Sequence, residues 1–175
     1  MSTLSRMRDT LGLVFKAGGP GFCQFAVTSA CNANCGFCNF ARDRHPKERW
    51  KFVSREQAFD AITILYREGI RYLVITGGEP TLHPNLSEIV RHGSDLGMKV
   101  MMVTNAGLLG ASKIKSLHAA GLSSVIMSID AASRQQHEGN RGLPSVWEKI
   151  RQANALISIG YACDRLHYHE PPGGL

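Results

Sequence analysis

Short apolar runs alternate along this chain with stretches whose apolar positions recur every three or four residues. Residues 22–28 (FCQFAVT) read as a first strand and residues 72–76 (YLVIT), apolar almost throughout, as a second. Residues 99–104 and 124–129 predict a third and a fourth. Between the first two, Ser54 and Gln57 form a capping box that opens a helix, and Ala58, Ala61, Ile62 and Leu65 give it one apolar face until Gly69 stops it. Asn85 and Glu88 predict a second capping box, ahead of a helix that turns Leu86, Ile89 and Val90 inward and ends at Gly97. Residues 111–120 predict a short helix closed by Gly121. Pro144, placed where a first-turn proline is tolerated, predicts a last helix carrying Val146, Trp147, Ile150, Ala153 and Ile157.

Strands that alternate with helices, and are apolar on both faces, argue for an α/β fold: a parallel sheet covered by helices. In such folds the working loops lie beyond the carboxyl ends of the strands. The polar motifs of this chain fall at those ends. Residues 1–20 read as an N-terminal extension, 21–160 as the core and 161–175 as an irregular tail that finishes in Pro171-Pro172-Gly173-Gly174-Leu175.

Composition narrows the class. Hydrophobic residues make up 43% of the 175 and charged residues 19%, as expected of a globular chain. No run approaches the ~20 apolar residues that span a bilayer, and Leu11–Phe15 is too short for a signal-peptide core. A cytoplasmic protein without a membrane partner is therefore expected. Five cysteines in that setting favour metal or redox chemistry over disulfides. The net charge of +6 is densest at Arg42, Arg44, Lys47, Arg49 and Lys51. A solvated loop is the preferred reading of that cluster, ahead of an anionic substrate, and nucleic acid is not expected.

Cys31-Asn-Ala-Asn-Cys35-Gly-Phe-Cys38 places three thiols within eight residues, directly after the first strand. Thiolates are the ligands of iron–sulfur clusters, and a tight loop can aim all three at one cubane. A zinc site completed by Cys23 or His45 is the competing reading. Cys23, within the strand, is expected to be packed, and Cys163 is a lone thiol in the tail, so no second cluster is expected. Met98, Met101 and Met102 read as core filler, and His83 as turn chemistry.

CxxxCxxC with an aromatic residue, Phe37, before its last cysteine resembles the signature of the radical SAM superfamily. Gly77-Gly78-Glu79-Pro80, Thr104-Asn105, Ser128-Ile129-Asp130 and His137-Glu138 followed by Arg141-Gly142 resemble its later motifs, in order and at strand ends. The likeness spans about residues 22–160. It implies a parallel partial TIM barrel of the radical SAM type, an enzyme, and two cofactors, a [4Fe–4S] cluster and S-adenosyl-L-methionine. Cys31, Cys35 and Cys38 would hold the cluster and leave one iron open. No catalytic residue is expected beyond these ligands. Backbone groups of Gly77, Gly78, Glu79 and Pro80 would meet the methionyl amine, Phe37 the adenine, and Thr104, Asn105, Ser128 and Asp130 the ribose or carboxylate.

The resemblance further implies a reductant such as flavodoxin or ferredoxin, and a small-molecule or peptide substrate of unknown identity. It is nearest the branch of molybdenum-cofactor cyclases and peptide-modifying maturases. The Gly173-Gly174 pair invites comparison with the cyclases, but Leu175 follows it and no second cysteine cluster accompanies it. About four of the family's six β/α units are legible, so a truncated member is expected. A non-catalytic iron–sulfur or zinc module is the alternative.

Overall fold

The computed structural model describes residues 21–160; the expectations for residues 1–20 and 161–175, Cys163 included, lie outside them. Four parallel strands lie side by side in chain order: β1 (Phe22–Ala26), β2 (Tyr72–Thr76), β3 (Lys99–Thr104) and β4 (Leu122–Met127). The connections between successive strands carry α1 (Arg55–Arg67), α2 (Leu86–Asp95) and α3 (Ala111–Ala119). Beyond β4 come α4 (Arg134–Arg141) and α5 (Val146–Gly160). Phe25 is paired with Ile75, Ile75 with Met102, and Met102 with Val125, a single row across the sheet.

The helices cover the face that β3 presents with Val100 and Met102. Ile62 of α1, Ile89 and Val90 of α2 and Leu117 of α3 meet Leu73, Ile75 and Met102 there, all essentially without solvent contact. Burying each such side chain contributes about 1.5–3 kcal/mol, so this layer drives the sheet to form. Met98 and Met102 are buried in it, as filler. Cys23 is only half-buried, because β1 is the outermost strand of the four.

Several boundaries and caps differ from the sequence pattern, the end of β4 among them, at Met127 rather than Ile129. β1 ends at Ala26, and Thr28 instead forms an isolated antiparallel bridge with Phe52. β4 begins two residues early, at Leu122, because a register shift absorbs Ser123, whose hydroxyl donates to the Val100 carbonyl at 2.7 Å. Asn85 makes no side-chain cap: its amide donates to Glu88 at 3.0 Å, while its backbone N–H is taken by His83 Nδ1 at 3.1 Å. Pro144 lies in the turn before α5 rather than in its first turn, next to Ser145 at φ 63°. The Ser54 capping box is present with both of its hydrogen bonds.

The carboxyl ends of β1 and β2 are locked together beyond the last paired residues. Gly78 N–H donates to the Thr28 carbonyl at 2.8 Å and Glu79 N–H to the Ala30 carbonyl at 2.7 Å. Such closeness leaves no room for side chains. A Cβ on Gly77, which sits at φ 144°, would overlap the Thr28 carbonyl oxygen, and one on Gly78 would overlap that of Ala30. The two glycines thus serve backbone-to-backbone packing against the root of the cysteine loop. Gly78→Ala is expected to destabilise the chain by about 3 kcal/mol, measured by denaturant unfolding, since the neighbour is backbone and cannot swing aside.

Candidate functional site

The loop after β1 turns back on itself and gathers its thiols. Cys31 and Cys35 are buried and Cys38 is half-buried, in a small cluster with Ala33 and Leu143. Cys38 N–H donates to the Cys35 carbonyl at 3.1 Å, and Arg42 N–H to the Ala33 carbonyl at 3.0 Å. Burial pushes the Cys31 thiol up to about 11, and charge on Glu79, Cys35 and Cys38 adds to the rise. Burial raises Cys35 as well, against the pull of the Arg141 guanidinium, whose Nη1 lies 4.0 Å from its sulfur.

Beside this loop the Gly77–Pro80 turn and the end of β3 share one buried carboxylate. Glu79 has no solvent exposure. Its Oε1 accepts from Thr81 N–H at 3.0 Å, Thr81 Oγ1 at 2.5 Å and Thr104 Oγ1 at 2.7 Å, and its Oε2 accepts from Asn105 N–H at 2.8 Å. Charge-assisted bonds of this kind are about twice as strong as neutral ones. Asn105 extends the chain of contacts: its amide donates to Asn32 Oδ1 in the cysteine loop at 2.8 Å, and its Oδ1 accepts from Gly107 N–H at 2.8 Å. Ala106 follows at φ 61°, a left-handed residue held in place by its N–H bond to Thr104 Oγ1 at 3.0 Å.

The end of β4 closes the ring. Ser128 N–H donates to the Thr104 carbonyl at 2.9 Å, carrying the ladder one residue past Met127. Asp130 Oδ1 lies 2.5 Å from His137 Nδ1, and its Oδ2 lies 3.3 Å from Arg141 Nε. His137 is wholly buried, edge-on to Trp147, and its Nε2 has no hydrogen-bond partner. Arg141 also stands 5.6 Å from the Phe37 ring, and its carbonyl accepts from Asn34 N–H at 2.8 Å. Phe37 is 66% exposed, an aromatic face open above the cysteine loop.

The residues singled out in the sequence therefore lie together at the carboxyl ends of β1–β4. Sequence reasoning missed α4, whose single buried residue is His137 and which has no apolar stripe to reveal it. It also missed that Asp130, His137 and Arg141 form one network with the cysteine loop. The spacing of His137 and Arg141, one helical turn apart, was the available signal.

The donor set fits an iron–sulfur cluster. Three thiols of one loop sit in an apolar cluster with a guanidinium beside the middle one. Among the described residues no three Cys, His, Asp or Glu side chains converge tightly enough for a single metal ion. Of the two fourth ligands of the zinc reading, His45 places its Nε2 3.0 Å from Ser29 Oγ, and the Cys23 sulfur meets the Gln24 carbonyl within β1.

A sequence profile of the Radical SAM superfamily matches residues 25–167. The chain belongs to this superfamily. Among its relatives, a GTP 3',8-cyclase from Chlorobaculum tepidum is 33% identical over 146 residues, 83% of this chain and 40% of that protein. An AdoMet-dependent heme synthase from Methanosarcina barkeri is 30% identical over 138 residues, 78% of this chain and 39% of that one. The crystal structure of Streptococcus suis SuiB bound to S-adenosylmethionine superposes with a TM-score of 0.67 at 20% identity, covering 91% of this chain and 37% of SuiB. That likeness extends the radical SAM assignment to a TIM-barrel-like fold, of which the four parallel strands are a part. The chain spans about two fifths of the length of these relatives. Among the described residues no helix is long and apolar enough to cross a membrane.

Two measurements test the geometry. Glu79→Ala would strand the donors of Thr81, Thr104 and Asn105 in the interior, so a loss of about 3 kcal/mol is expected in denaturant unfolding, with Glu79→Gln intermediate. The pH dependence of the metal-free chain follows from Cys31, whose folded value near 11 exceeds the 9.0 of an unperturbed thiol. A raised value means that the fold favours the protonated thiol. Its contribution is complete below the unfolded value and is lost as pH rises through the folded one. Stability should thus fall between pH 9 and 11, and Cys31→Ser should flatten that fall in the same unfolding experiment.

Proposed function

We propose that this chain is a radical SAM enzyme core in which Cys31, Cys35 and Cys38 hold a [4Fe–4S] cluster and the surrounding strand ends hold S-adenosyl-L-methionine. When bound, the pair supplies reductive cleavage of a carbon–sulfur bond, giving a 5′-deoxyadenosyl radical that takes hydrogen from substrate. The observation that carries the reading is the convergence of the thiol loop, the Gly77–Pro80 turn and the Thr104-Asn105 end on the buried carboxylate of Glu79. Superfamily membership and the fold it shares with SAM-bound SuiB support it.

In this reading the chain's own residues orient and shield. Thr81 and Thr104 both donate to Glu79, so what the turn offers a ligand is a rigid backbone edge at the end of β2. Gly77 to Pro80 would meet the methionyl amine with that edge. Phe37, exposed beside the thiols, would take the adenine by stacking and apolar contact. Thr104 and Asn105 would hold the floor of the site and Ser128 and Asp130 its far side, near the ribose or the methionyl carboxylate, with the oxygens of Asp130 already held by His137 and Arg141. Apolar packing around Cys31 and Cys35 keeps water from the thiolates.

The substrate is a small molecule or a peptide. The heme synthase and GTP cyclase named among the relatives act on unlike molecules, so relatedness alone selects neither. The experiment is anaerobic loading with iron and sulfide, followed by reduction in the presence of S-adenosyl-L-methionine. Brown absorbance with close to four irons per chain, and formation of 5′-deoxyadenosine that Cys31→Ala, Cys35→Ala or Cys38→Ala abolishes, is expected. Stoichiometric zinc with no iron would instead establish the non-catalytic module.

A further inference from the structure

The segment between the last cysteine of the loop and α1 carries five cations, Arg42, Arg44, Lys47, Arg49 and Lys51, against two carboxylates, Asp43 and Glu48, a net +3. All seven are exposed. The segment is nonetheless held firmly against the thiol loop. Arg44 Nη2 donates to the Gly36 carbonyl at 2.6 Å, and Asn34 Nδ2 to Asp43 Oδ2 at 2.5 Å. Farther along, Trp50 Nε1 donates to the His45 carbonyl at 3.0 Å, and Lys51 N–H to Ser29 Oγ at 2.9 Å. Ordinary solvation of a charged loop requires none of these ties.

Their arrangement gives the field a direction. Asp43 is engaged by Asn34 and by Arg42, 3.5 Å away, which leaves its negative charge partly spent. Lys47, Arg49 and Lys51 have no carboxylate within ion-pair range among the described residues. Phe40 and Phe52, 38% and 41% exposed, add apolar surface on the same stretch of chain. Aromatic and arginine side chains together are the composition enriched at protein interfaces.

We infer that this ledge docks a small acidic protein that carries single electrons to the cluster on Cys31, Cys35 and Cys38; the inference rests on the cluster reading above. The cluster requires one electron from outside, and the thiol loop meets solvent at Gly36, the residue Arg44 holds. One electron leaves the carrier, which departs oxidised by that electron, and the cluster is reduced by it; no bond is made or broken. Fixed cations raise the encounter rate with an acidic partner, and the small, weak interfaces of redox pairs let it leave again. A nucleic acid would call for a longer basic track, because its affinity grows with each phosphate neutralised.

The test compares the cluster-loaded chain with a variant carrying Lys47→Glu, Arg49→Glu and Lys51→Glu, three residues that touch neither the thiols nor the Glu79 network. An acidic flavodoxin is the probe, titrated in its oxidised form with flavin fluorescence as the readout. Binding about tenfold weaker in the variant at low salt, with the difference vanishing by about 0.5 M salt, is expected. Reduction of the cluster by flavodoxin hydroquinone should slow by the same factor, while reduction by dithionite stays unchanged. The corresponding Gln variant should fall between the two.

Equal flavodoxin affinity in both proteins overturns the docking face. So does salt-sensitive binding of a single-stranded RNA oligonucleotide that the variant loses while its flavodoxin affinity stands. Iron content, read first, separates the two levels: a chain that takes up no iron refutes the cluster reading itself, and a loaded chain indifferent to flavodoxin charge refutes only the surface.

Discussion

One buried carboxylate organises the working end of this fold. Glu79 lies at the end of β2, out of reach of water, and its two oxygens receive donors from its own turn and from the end of β3. Burying a charge is costly unless hydrogen bonds replace its hydration, and four donors do so here. The consequence is geometric. Thr104 and Asn105 cannot shift without unpairing Glu79, and Asn105 in turn grips Asn32 in the thiol loop. Three loops that would otherwise move independently become one rigid unit.

Two glycines make that unit possible. Gly77 and Gly78 let the turn after β2 press against Thr28 and Ala30, so the root of the cysteine loop is pinned by backbone alone. From the other side, α4 delivers Arg141 to Cys35, Phe37 and Asp130 at once. The thiol loop is thus clamped between β2 and α4, its thiols inward and Phe37 outward. Rigid first contacts backed by a supporting layer are what a site needs in order to present ligands in one geometry.

How much of this could be read from the chain depended on the range of the interactions. β2 and β3 were legible because each is a compact apolar run bounded by turn residues, and Tyr72–Thr76 and Lys99–Thr104 match the pattern end to end. β4 was displaced because its start follows Gly121 directly and Ser123 is absorbed by the register shift, which leaves no local mark. α4 was invisible: its side chains are polar, and it forms because Ser133 caps it and His137 docks against Trp147 and Asp130. Glu79 was visible as a motif residue, but its burial depends on Thr104 and Asn105, some 25 residues away in the chain. His83 has the turn role expected of it, accepting from Asn85 N–H at 3.1 Å, and adds a buried link to the Val53 carbonyl at 2.9 Å that no local pattern announces. Placement of chemical groups at strand ends was local information; the bonds that fix them there were not.

The central claim is that this clamped thiol trio leaves one iron of a cubane open to the methionyl end of S-adenosylmethionine. Electron–nuclear double resonance on the reduced, oxygen-protected chain, with the nucleotide labelled at its amino nitrogen and carboxylate oxygens, reads that contact directly. Hyperfine coupling from both labels to the cluster spin is the result this account predicts. A cubane signal that carries neither coupling, in a sample saturated with the nucleotide, would contradict it.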